Sequence, residues 1–326
     1  MSSSSMSHET IHDLIIPDCG ARLLAMVLSA VFYGITILQT YSYYDGYWND
    51  TFATKSFVAI LTILDTAHMA SIIESNWFYV IANYGDPDSV LGTFALGTPV
   101  EIIANVAIAF LVQSFFARRV WLTNDRLRII PMMIVALSLT QFALGIYYGS
   151  SVRPHHDITV VSHLAWVAVA SSSCGISADF LITALLCYNL HRYRTGAKRA
   201  NKLINRLMVY TVNTGLLTSI AAAFTIILSN VYPTALWSKI PFCIATKLYV
   251  NSALAVLNTR KGLRNMSATI SASTAVSSSV KLEFTEVNLG GGVTVPSQEH
   301  RNREQTSPSD SHAANGGDID IEAGIL

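Results

Sequence analysis

Asp65, His68, Asp179 and Lys247 each lie inside a run of apolar residues. A carboxylate, an imidazole or an ammonium in such surroundings can form ion pairs or relay protons, and a lysine can carry a Schiff base. Asp65 and His68 are three positions apart, which places them on one face of a helix. A charge at the middle of a bilayer costs about 2.5–3.5 kcal/mol on insertion scales, so these groups should turn inward and pair. Lys247 is expected to meet Asp65, and Asp179 to meet Asn213 or Thr214 in the next apolar run. Asn251, one turn after Lys247, either extends this network or satisfies a backbone carbonyl, and the second is the simpler expectation. Two readings follow. The network fixes helix register, or it lines a ligand pocket, ion path or switch; charge burial alone does not separate them.

The elements that must position these residues are seven long apolar stretches, at 20–42, 54–74, 99–121, 129–149, 163–188, 207–230 and 236–258. A hydrocarbon core about 30 Å thick needs about 20 helical residues at roughly 1.5 Å each. A membrane strand would be about 10 residues of alternating polarity, and runs such as FVAILTIL and IIPMMIVALSL show none. The predicted fold is therefore all-α, an integral membrane bundle of seven transmembrane helices over residues 20–264. A short polar N-terminus, 1–19, precedes it. A Ser- and Gly-rich tail, 265–326, follows and lacks the apolar content to order itself. Thr98-Pro99 reads as an N-cap followed by proline at the first helical position. Pro241 should kink the last span or mark its true start. Glu101, opening the third span, is expected to reach the outer interface.

Lysine and arginine fall mostly into alternate loops. Lys55, Arg118, Arg119, Arg126, Arg128, Arg192, Arg194, Lys198, Arg199, Lys202, Arg206, Arg260, Lys261 and Arg264 share one side. The other side has Arg22, Arg153 and Lys239, and the loop 75–98 has no basic residue. Positive loops stay cytoplasmic, so the N-terminus should face outside or the lumen and the C-terminus the cytosol. The N-terminal residues lack the pattern of a cleaved signal peptide. The basic loops suit a membrane surface or anionic lipid, or a cytosolic partner.

With 51% hydrophobic residues, 13% charged residues and a net charge of zero, the chain resembles neither a soluble domain nor a nucleic-acid binder. Cys19, Cys174, Cys187 and Cys243 have no metal or redox spacing and read as small space-fillers. Stretches such as ASSSCGISAD and TVNTGLLTS read as close helix packing. No HxxxH or HExxH occurs, and His68 is the one histidine at membrane depth, so neither an enzyme nor a metal site is expected.

The segment Ala178–Arg264 carries Ala-Asp in span 5, RTG in the basic loop, NTGLLTS in span 6 and KLYVNSALAVLNTR in span 7. Together with LDTAH in span 2 and LVQSFFARRVW ending span 3, it resembles a large family of multi-pass membrane proteins from mushroom-forming fungi, known as a domain of unknown function. The resemblance implies a seven-helix fold. It implies no activity, substrate or cofactor, and the tail lies outside it.

A receptor or sensor fits the architecture best, with the bilayer as its environment, a small extracellular ligand and a cytosolic partner at the basic loops. It would lack the acidic residue before the Arg118-Arg119 pair and the NPxxY of rhodopsin-like receptors. A small-solute or proton-coupled transporter or channel is the alternative, although no internal repeat divides the chain. A non-catalytic membrane scaffold also remains open. A retinal Schiff base on Lys247 is not expected, because span 3 offers no aspartate as counter-ion. On this topology the sequons at Asn49 and Asn265 face the cytosol and stay unmodified; a glycosidase-sensitive mass shift mapped to Asn49 would overturn the orientation.

Overall fold

The structure, a computed structural model, describes residues 16–83, 93–123, 129–152, 163–192, 215, 217–232 and 236–259. The chain divides into two units, Met1–Lys261 and Gly262–Leu326, and every described residue falls in the first. The N-terminal segment 1–15 and the tail lie outside the described residues.

The described residues form helices and no strand. They are α1 (Ile16–Gly46), α2 (Phe52–Asn76), α3 (Gly97–Thr123), α4 (Ile129–Ser151) and α5 (Ala165–Arg192). Then come α6 (Leu217–Val231) and α7 (Leu236–Thr259). A π-helical turn, Trp77–Ala82, extends α2. Six of these helices are long and apolar enough to cross a bilayer, and α6 is a shorter apolar helix within the described residues. These features fit a multi-pass membrane protein.

Several helix ends differ from the sequence expectation, each for a local reason. α1 is already helical at the first described residue, Ile16, ahead of the expected residue 20. Pro17 suits a first turn, and the Asp18 carboxylate there favours a helix N-terminus. The same carboxylate accepts the Leu236 N–H at 2.7 Å and so also caps α7. Thr98 is not the cap of α3. The helix begins at Gly97, whose N–H is taken by the Glu74 carboxylate of α2. Gly97 lies so close to the Ser71 carbonyl and Glu74 that a side chain there has no room, with Ser75 Oγ 2.9 Å from where its Cβ would stand. Pro241 marks the true start of the regular part of α7, the second of the two expectations. It follows the 3₁₀ turn Leu236–Ser238 and falls in the first regular turn, where no N–H is needed.

Cross-contacts give the helix directions. Thr40 and Thr62, and Tyr33 and Thr66, hydrogen-bond at 3.0 Å across α1 and α2, which run antiparallel. Gly149 packs on Ile102 and Ile103, and Gly145 on Val106, so α4 opposes α3. Ser171 donates to the Gln141 carbonyl (3.0 Å) from α5 to α4. Asn251 donates to the Phe32 carbonyl (3.1 Å) and Asn258 to the Gln39 carbonyl (2.8 Å), so α7 lies parallel to α1. Glycines at these crossings let backbones approach, the packing mode favoured in lipid. Gly175 sits on Gln141 and Gly215 on Thr183 in the same way.

Large apolar side chains point outward, among them Leu24, Val31 and Leu38 of α1 and Met132, Val135 and Leu139 of α4. α7 is the central helix, with 72% of its apolar window buried against 28% for α1 and for α4. The interior is divided by height. Val58, Leu61, Val112, Phe116, Ile134, Leu186, Leu254 and Leu257 fill the half where α2 begins and α7 ends. The other half holds, among the described residues, the small apolar cluster Ala25, Ile72 and Cys243 beside many buried polar groups.

Gly145→Leu drives a side chain into the stiff Val106 and should destabilise the bundle by about 1–3 kcal/mol. Thermal denaturation in detergent measures it, and an unchanged midpoint would dismiss the close α3–α4 crossing.

Candidate functional site

α7 carries the site because its successive turns present polar groups to different neighbours. Helical residues advance about 100° each, so Lys247 and Tyr249 face nearly opposite ways at almost the same depth. One faces α2, the other α5.

On the α2 side, Lys247 Nζ donates to Asp65 Oδ1 at 2.7 Å and to the Asp65 carbonyl at 3.2 Å. Both side chains are fully buried. The Thr36 hydroxyl lies beside the same carboxylate, and the ammonium stands 5.2 Å over the Tyr33 ring. An ion pair with close hydrogen bonds is the form in which two such charges can leave water.

One turn along α2 from Asp65, His68 is also fully buried, and neither ring nitrogen has a protein partner among the described residues. Above it, Lys239 Nζ pairs with Glu101 Oε2 at 3.0 Å, and the Cys243 thiol donates to Glu101 Oε1 at 3.2 Å. Glu101 is thus buried and paired inside the bundle, and does not reach the interface as expected. Asn105 donates to Thr246 below it. Near the helix ends, the Arg22 guanidinium stacks on Tyr79 at 3.6 Å, a contact strengthened where water is scarce.

On the α5 side, Asp179 accepts from Gln113 Nε2 (3.0 Å), the Thr218 hydroxyl (3.1 Å) and the Tyr249 hydroxyl. Ser138 in turn donates to Gln113 Oε1 at 2.7 Å. Four helices besides α5 therefore meet at one carboxylate and its partners.

Asp65 and Lys247 are brought together, and Asp179 forms a separate cluster. Asn251 is spent on backbone, donating to the carbonyls of Phe32 and of Lys247 (2.9 Å). Asn213 and Thr214 lie outside the described residues, as do Arg126, Arg128, Arg194, Lys198, Arg199 and Lys202. Arg118 and Arg119 sit near the end of α3, Arg118 exposed, and Arg192 is the last residue of α5. Sequence reasoning passed over Glu101 as a partner, Lys239, Gln113, Thr218 and Tyr249. A usable signal existed for Gln113, an amide within an apolar run, where polar groups are costly. Tyr249 is aromatic and gave none. Its role depends on which helix it faces.

A model of the DUF6534 family, a family of unknown function, matches residues 175–262. That range holds Asp179, Thr218, Lys247 and Tyr249. Asp65, Glu101 and Gln113 precede it. No curated protein and no solved structure matches the chain.

Removing one partner of a buried pair strands the other. Lys247→Leu alone should cost about 3–5 kcal/mol, and Asp65→Leu added to it should recover most of the loss. Chemical or thermal denaturation of the two variants checks this, and equal losses in both would discard the pair as a stabilising unit.

Proposed function

We propose that the chain is a seven-helix membrane receptor or sensor with no catalytic role. Its ligand-responsive element is the polar half of the interior, entered from the outer face. One observation carries the reading. Arg22 Nε, Ser29 Oγ, both His68 nitrogens, Ser75 Oγ and Asn76 Oδ1 are buried without a protein partner among the described residues. All lie in the half opposite the apolar core. An unpaired buried polar group costs about 1–3 kcal/mol, so a set of them calls for water or a polar ligand to complete it.

Seven crossings are supported by helix direction. α5 and α7 both run parallel to α1, so the chain must recross between them, and the described α6 falls in that interval. The expected outer side is also poor in free positive charge, because Arg22 is stacked on Tyr79 and Lys239 is held by Glu101. Arg118 stays exposed at the opposite end. With positive loops inside, the N-terminus is outside and the C-terminus cytosolic, and the basic loops are where a cytosolic partner or anionic lipid would dock.

A ligand biases such a protein only through contacts that differ between two states. The ion pairs on α7 are suited to this role, since a polar ligand beside His68 competes for the same charges. The transporter reading draws on the midplane pair of Asp65 and Lys247, but it needs polar access from both faces, and the inner half is packed with Leu61, Val112, Leu254 and their neighbours.

The test is directional labelling. Ser29→Cys and Ser75→Cys should react with a membrane-impermeant thiol reagent applied to intact cells, above the native chain as background, and not in inside-out vesicles. Reaction from both sides would instead support transport, and reaction from neither would leave a dry structural network and end the receptor reading.

A further inference from the structure

The cluster on the other face of α7 is unlike the first because no positive charge among the described residues balances it. Asp179 is 4% exposed, and its partners among the described residues are the neutral Gln113, Thr218 and Tyr249. All three are placed to donate, so both carboxyl oxygens can act as acceptors. Neither ion pair found among the described residues includes Asp179. Hydrogen bonds from neutral groups lessen the cost of burying a carboxylate, but they do not cancel its net charge.

A cavity of ≈ 20 Å³ adjoins this carboxylate, lined by Asp179, Thr183, Thr218, Tyr249 and Ser252 together with Gln113 and apolar side chains. That is room for about one water or one small ion. Thr183 Oγ1 is buried at its edge without a protein partner among the described residues. The Ser252 hydroxyl uses its proton on the Tyr249 carbonyl at 2.8 Å, which leaves its oxygen free to accept. The site thus offers one negative charge, hydroxyl oxygens and little space. Oxygen donors select hard cations. One carboxylate balances one positive charge, and no group of three His, Cys, Asp or Glu that could hold a metal ion exists among the described residues.

We propose that this cavity binds a single monovalent cation of sodium's size against Asp179, with Thr183 and Ser252 as neutral oxygen ligands. The site joins α3, α5, α6 and α7, so the bound ion ties the helices around α7 together on the side away from Lys247. The assignment is independent of the receptor reading, since a scaffold or a transporter could hold the same ion.

The experiment uses the purified full-length chain in detergent, titrated with sodium chloride against choline chloride at matched ionic strength. A ligand that binds the folded state raises its thermal midpoint as concentration increases. The midpoint should rise with sodium and less with potassium. Asp179→Asn should abolish the response. Thr183→Val, which leaves the carboxylate and its three donors intact, should weaken it several-fold in apparent affinity. Equal midpoints in sodium and choline, or a sodium response that survives Asp179→Asn, would overturn the proposal. Should Asp179→Asn fail to fold, the wild-type titration and Thr183→Val decide it.

Discussion

Lys247 carries its charge in the interior of the bundle. Its side chain is fully buried, and its charge is met by a carboxylate that is equally enclosed. In hydrocarbon neither group can be left alone, so the pair obliges α2 and α7 to stay in contact at one register. The arrangement of the rest follows from placing α7 at the centre. Lys239 binds α3, Asn251 and Asn258 bind α1, and Tyr249 binds α5. The helices around α7 turn their polar atoms toward it and many of their large apolar side chains outward.

The interior is consequently of two kinds. Where α7 ends, apolar side chains from α2, α3, α4 and α5 fill the space in the manner of a soluble core. Where it begins, charge and hydroxyl groups dominate, and several lack protein partners. Packing density resists change in the first region. In the second, alternative partners lie within reach, and His68 stands within electrostatic range of Lys247, Glu101 and Lys239. A conformational response belongs in the second region, because exchanging one polar contact for another costs far less than opening a filled core.

Tyr249 and Lys247 lie two residues apart and join networks on opposite faces of one helix. A rotation or axial shift of α7 therefore acts on both at once. This physical link would let occupancy of the Asp179 cavity influence the polar half of the interior without any shared ligand.

The presence of several long apolar helices, the approximate limits of most of them and the inward placement of Asp65, Asp179 and Lys247 were legible in the amino-acid order. These features depend on local composition and on the cost of charge in hydrocarbon, both of which act residue by residue. The small residues of ASSSCGISAD and TVNTGLLTS likewise announced close packing, and Gly175 and Gly215 provide it. The partners were far less legible. Glu101 and Lys239 are 138 positions apart, and nothing in either one's surroundings points to the other. Thr98 resembled a cap, yet the Glu74 carboxylate of a neighbouring helix took that place. Asp179 found Gln113 and Tyr249 because three helices converge there, a fact of packing. Hydropathy and helical period are properties of a segment, and they dictated that this chain forms apolar rods with polar stripes. Which stripe meets which is a property of the whole bundle, settled when close-packed glycines and complementary charges select one arrangement of the rods, and only the tertiary structure reveals it.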